Sequence, residues 1–121
     1  MRLIPASVAI CVLAGASLQS ASAQSQRYIG FGDANCSLWT AERTWAAERK
    51  IPSSPLMLWM EYWVLGFVSG SNWASTGLDL ASFDGDFITS WLDNYCQQNP
   101  RETFHAAVVA LTKELAQRAN R

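Results

Sequence analysis

Cys36 and Cys96 constrain this chain more than any other feature, because a covalent tie between them would close a loop over most of what can fold. They stand 60 residues apart. Whether they are joined depends on the compartment, and the first residues speak to that. Met1-Arg2 is a short basic start, Val8–Ala14 a compact apolar run, and Ala21-Ser22-Ala23 has the small-x-small spacing that precedes a signal-peptidase cut. Residues 1–23 therefore read as a cleaved Sec-type signal peptide. An uncleaved membrane anchor fits less well, because the apolar core is short and rich in Ala and Ser. Cys11 leaves with the signal; it lies too early, after the bulky Ile10, to carry a lipoprotein anchor. The mature chain then runs Gln24–Arg121 with an even pair of cysteines, which in an exported protein reads as one disulfide. A zinc site is the poorer alternative, with His105 the single histidine. Closing so long a loop stabilises by about 4 kcal/mol in the chain-entropy picture, a large share of a small domain's stability.

The rest of the chain is rich enough in apolar residues to fold. Of 121 residues half are apolar, 16% are charged and six are tryptophan, which argues against disorder. The length suits one domain. A formal charge of −1 excludes the basic footprint of a nucleic-acid binder. Periodicity predicts helices and no strand. Residues 24–35 form an expected loose leader. A first helix opens at Cys36-Ser37 with Ser37 as its cap; Leu38, Ala41 and Trp45 mark one face, and Trp39, Arg43 and Ala46 a neighbouring one. Ser54-Pro55 suits an N-cap and first helical position.

The second helix is expected over about 55–75. Its main stripe is Leu56, Trp59, Met60, Trp63, Phe67, Gly70 and Ala74, with Met57, Leu58, Leu65 and Val68 behind. A helix apolar on most sides is central, membrane-spanning or an interface. Polar residues interrupt its longest uncharged run, so the central position is expected, with Gly66 and Gly70 admitting a neighbouring helix. In the third helix, capped by Asp84 or Asp86, Phe87, Ile88, Trp91, Leu92, Tyr95 and Cys96 form an i, i+4 double row. Asn99-Pro100 ends it and is expected to cap a fourth helix, whose stripe is Phe104, Val108, Leu111 and Leu115. The expected fold is all-α: a small bundle of about four main helices with one disulfide, over residues 36–121.

Three segments together resemble a known family. Cys36-Ser37-Leu38-Trp39 opens the first helix, Trp63 to Gly70 lies on the second, and Trp91 to Pro100, with its Tyr-Cys-x-x-Asn-Pro ending, closes the third. The pattern resembles the Rap/Tai immunity proteins, exported helical proteins that neutralise peptidoglycan amidases delivered by type VI secretion. The resemblance spans roughly 35–116. It implies a periplasmic address, an amidase effector as partner and inhibition by occlusion. The matched positions are scaffold residues, so it assigns no partner contact.

Chemistry is sparse. His105 paired with Cys96 would compete with the disulfide and has no oxyanion-loop signature. Asp79, Asp84 and Asp86 lack the calcium-loop spacing and read as caps and solvated loop. Glu61 is expected to be exposed or salt-bridged, and the tryptophans to pack. The reading is a binding protein rather than an enzyme, with no catalytic residue, metal or cofactor and no membrane contact after cleavage. Its partner-binding candidates lie on the connection 72–86: Trp73, Asp79, Leu80, Phe83 and Asp84, where three carboxylates and no base meet apolar anchors. A homodimer through the back of the second helix, at Met57, Leu58, Leu65 and Val68, is also expected. The alternatives are a small periplasmic acid-stress chaperone, for which one histidine is a weak switch, and an envelope protein with another partner.

Overall fold

The computed structural model describes residues 30–75 and 83–121. The expected signal peptide, the start of the leader, and the candidates Asp79 and Leu80 lie outside the described residues. Four helices follow one another: α1 (Cys36–Glu48), α2 (Pro55–Ser75), α3 (Gly85–Gln98) and α4 (Phe104–Ala119), preceded by a 3-10 turn at Phe31–Asp33. Among the described residues the sole β-type pairing is an isolated bridge between Asn35 and Thr103.

The helix ends show how local sequence and long-range contacts share the work. Ser54 caps α2: its Oγ accepts from the Met57 N–H at 3.0 Å, with Pro55 in the first helical position. Asp84 caps α3 by accepting from the Phe87 N–H at 2.8 Å. At α1 the expectation fails. Ser37 is the second helical residue, and the preceding Asn35 makes no side-chain cap. The first amides are satisfied from afar instead, Cys36 N–H donating to the Glu102 carbonyl at 2.9 Å and Ser37 N–H to that of Pro100 at 3.2 Å. Those carbonyls sit in the turn after α3, and this displaces the second expected cap. Asn99 ends α3, and Thr103 caps α4 by accepting from the Ala106 N–H at 3.2 Å. Residues 100–102 are thereby left free to meet α1.

The disulfide locks the same corner. Cys36 and Cys96 are bonded, with Cα atoms 4.8 Å apart and neither residue exposed, so the start of α1 is tied to the end of α3. Behind it lies the core. Trp39 stacks on Phe104 with ring centroids 5.5 Å apart, surrounded by Leu92, Val108, Leu111 and Leu115. On α3 and α4 the buried residues fall on the expected stripes. On α1 the buried face is the one holding Trp39 and Ala46.

The facing of α2 is corrected. Met57, Met60, Val64 and Val68 are buried, so Met57 and Val68, expected behind, are core, while Trp59 points outward. At about 100° per residue the buried stripe lies about a quarter-turn from the expected one. Volume supplies the reason. Trp39 and Phe104 already fill much of the space α2 packs into; adaptable methionines and small valines fit the remainder, with Trp63 against Phe104 at its edge. Among the described residues no atom lies within 4 Å of where a Cβ would stand on Gly66 or Gly70, so no described helix packs on them.

Residues 31–33, placed in the loose leader by sequence, pack as a 3-10 turn on α4 with Gly32 buried. Gly30 requires its glycine: φ is +98°, and a Cβ would come within 2.7 Å of Trp63 Cδ1.

Candidate functional site

Five of the chain's ten acidic residues lie between 51 and 100, Glu61, Asp79, Asp84, Asp86 and Asp93, with no Lys, Arg or His among them; every basic residue lies outside that stretch. Asp93 is neutralised across helices. Arg43 on α1 reaches its Oδ2 through Nε at 3.0 Å and a terminal nitrogen at 2.7 Å, while the buried Trp39 donates its indole N–H to Oδ1 at 2.8 Å. Glu61 and Asp86 line one cleft with Arg43, and Asp84 caps α3 close to Phe87, over whose ring Arg118 of α4 lies. Asp84 and Asp86 are exposed in the first turn of α3, where the helix dipole favours negative charge.

The sequence-predicted partner residues divide at this end. Trp73, in the last turn of α2, is 91% exposed. Phe83 packs on the core and lies 5.7 Å from the Phe87 ring, so it anchors the start of α3. Asp84 spends one carboxylate oxygen on the cap and keeps its charge toward water.

A cleft of about 420 Å³ opens between α1, α2 and α3, lined by Trp39, Arg43, Ser53, Glu61, Val64 and Ile88 among others. Glu61 is half-buried, and burial holds its carboxyl above the ordinary range. The Ser53 hydroxyl, donating at 3.4 Å, and the Arg43 cation work in the opposite direction. Below it the Ser54 hydroxyl donates to Glu42, joining α1 to the start of α2. The cleft holds no hydroxyl or thiol paired with a basic residue. His105 is set edge-on to Phe67 at 5.3 Å; burial holds its pKa below the usual histidine range, and Asp33 partly opposes that. Cys96 is committed to the disulfide, so it has no thiol to pair with His105. Among the described residues no group of His, Cys, Asp and Glu could hold a metal. No described helix is long and apolar enough to cross a membrane.

The outward face of α2 was read only in part in the sequence: Leu58 and Leu65 were expected on it, Trp59 and Tyr62 were not. Trp59 and Tyr62 are each 67% exposed and Leu58 and Leu65 each 44%, opposite the buried Met60 and Val64. The local clue was that apolar residues surround the whole helix, which leaves a surplus once one side is buried. The link from Trp39 and Arg43 to Asp93 was also missed; it joins residues some 50 positions apart and leaves no local pattern. Neither a known protein family, nor a curated protein, nor a solved structure matches this chain.

Proposed function

We propose that this protein is a periplasmic binding protein of the immunity type, which neutralises a secreted peptidoglycan amidase by occluding it and performs no catalysis itself. The observation that carries the reading is the acidic end between α2 and α3. Trp73 at the end of α2 is almost fully exposed, Asp84 and Asp86 at the start of α3 are exposed, and the sequence from 51 to 100 has no basic residue. An exposed aromatic and exposed carboxylates on the two helices that one connection joins suit a cleft with a basic rim, the charges speeding encounter and the indole supplying affinity. The resemblance to the Rap/Tai proteins supplies the nature of the partner. It is supported by the staple and core roles of Cys36, Cys96 and Trp39, the kind of positions a shared scaffold would retain.

The experiment is inhibition of a secreted cysteine amidase encoded beside this protein's gene. Equimolar protein should suppress peptidoglycan cleavage. Trp73→Ala should weaken binding by at least about 30-fold, the equivalent of about 2 kcal/mol, at unchanged melting temperature. Full cleavage in a tenfold excess of the protein overturns the reading. Protection of aggregating client proteins only at acid pH would put the acid-stress chaperone in its place.

A further inference from the structure

We propose that the cleft between α1, α2 and α3 binds an organic cation, a primary ammonium or guanidinium carried on an apolar stem. The site does not include Trp73 and is independent of the amidase reading. Its volume, about 420 Å³, falls within the range of small-molecule sites. Its walls divide by chemistry. Val64 of α2 and Ile88 and Leu92 of α3 make an apolar floor almost wholly withdrawn from water, and Leu65 stands beside them 44% exposed. A stem laid along Leu65 takes apolar surface out of water on both sides. Each methylene so buried is worth about fourfold in affinity.

The charges fix the sign of the guest's head. Arg43 from α1, Glu61 from α2 and Asp86 from α3 line the cleft, and Asp93 of α3 borders it through Arg43. Arg43 and Asp93 cancel. The guanidinium donates twice to one oxygen of that carboxylate, and the Trp39 indole N–H takes the other. Glu61 and Asp86 remain, so an anion would be repelled and a cation drawn in. Glu61 is the sharper of the two. It is half-buried, and its carboxylate takes a long hydrogen bond from Ser53 at 3.4 Å in exchange for the water it has lost. The chain's own cation in the cleft is spent on Asp93. An arriving ammonium would supply the counter-charge that burial makes valuable, and a carboxyl shifted by desolvation inside a cleft is a recurrent mark of a binding site. The apolar floor adds nothing for a bare metal ion, and no described group of acids could hold one. It does suit the hydrocarbon behind an amine.

Hexylammonium, titrated into the mature protein at neutral pH and low salt and followed by amide NMR shifts, tests the site. The expected result is saturable, millimolar binding with shifts centred on Glu61, Val64 and Ile88. Methylammonium, which lacks the stem, should bind at least about tenfold more weakly, and hexanoate, which has the stem and the wrong charge, should not bind. Glu61→Gln should weaken hexylammonium at least about threefold without lowering the melting temperature, whereas Glu48→Gln, an exposed acid of α1 outside the cleft, should change nothing. Shifts that scatter over the surface without saturating, hexanoate or methylammonium binding as well as hexylammonium, or a Glu61→Gln variant that binds like the parent overturns the proposal. The source of the cation is read in a second arm. If it is a lysine or arginine of a bound protein, saturating hexylammonium and Glu61→Gln each weaken amidase binding; if it is a free amine, neither does, and both results support the site. The amine titration needs no amidase, so failure of the cation site and failure of the inhibitor reading are distinguishable.

Discussion

Reducing the Cys36–Cys96 bond should destabilise the protein chiefly through its unfolded state. The bond spans a sequence separation of 60 residues. For a loop of that size the chain-entropy relation gives about 14 cal/mol/K, or about 4 kcal/mol at 25 °C. The folded side changes little on reduction, because the same corner is held by backbone bonds that need no sulfur. Cys36 N–H donates to Glu102, Ser37 N–H to Pro100, and Phe104 N–H to the Ala34 carbonyl. Domains of this size are stable by about 5–14 kcal/mol, so the loss removes between about 30% and 80% of the total. It corresponds to a fall in melting temperature of roughly 15–30 °C. Urea unfolding followed by tryptophan fluorescence, with and without a phosphine reductant, measures it. The midpoint should fall, and the denaturant slope should rise as the freed chain exposes more surface. Because both sulfurs are fully buried, reduction of the folded protein should be slow and should track unfolding. A reduced protein within about 1 kcal/mol of the oxidised one, at unchanged slope, would refute the loop-entropy account.

Other substitutions probe single contacts. Trp39→Phe keeps a ring against Phe104 but removes the N–H from Asp93 and leaves a void, so it should cost about 2–3 kcal/mol; a loss under about 1 kcal/mol would mean the indole is replaceable. Gly30→Ala puts a methyl into the Trp63 ring at a positive φ and should cost about 1–2 kcal/mol. Unchanged stability there would show that the 3-10 turn is not seated on Trp63. At Glu61 the folded pKa lies above the ordinary 4.5. Its stabilising contribution is therefore full below about pH 4.5 and is lost as the pH rises through the raised value. Glu61→Gln should match the parent at pH 4 and exceed it at pH 7, by less than about 1 kcal/mol because much of the side chain still meets water. Equal stabilities at pH 7 would contradict the burial effect.

How much the sequence revealed depended on whether a neighbour had to be known. The stripe of α4 and the double row of α3 were legible because each has one apolar side, and Ser54-Pro55 because a cap is a local device. The facing of α2 was not legible: with apolar residues all round, nothing within the helix selects a side, and the choice fell to the volumes of Trp39 and Phe104 on other helices. The start of α4 was misjudged for a similar reason. Asn99 and Thr103 are both good caps, and the selection was made by α1, whose free amides take the carbonyls of Pro100 and Glu102. At the candidate site, the acidic run followed from composition, whereas Phe83, expected as a partner contact, packs on the core, and the exposure of Trp59 and Tyr62 followed from that unread rotation.

α4 touches the 3-10 turn and all three of the other helices, and it follows every one of them along the chain. The order of synthesis therefore runs against the order of packing. A growing chain that has completed α1, α2 and α3 still lacks Phe104, Val108, Leu111 and Leu115, the side chains that close the core around Trp39 and Met60. Its three helices can meet one another, α1 against α2 and α3, but the core between them stays open on the side α4 covers. Completion of the core is therefore deferred until the final helix arrives. A product cut short before α4 would have no native state in which to hide from a protease.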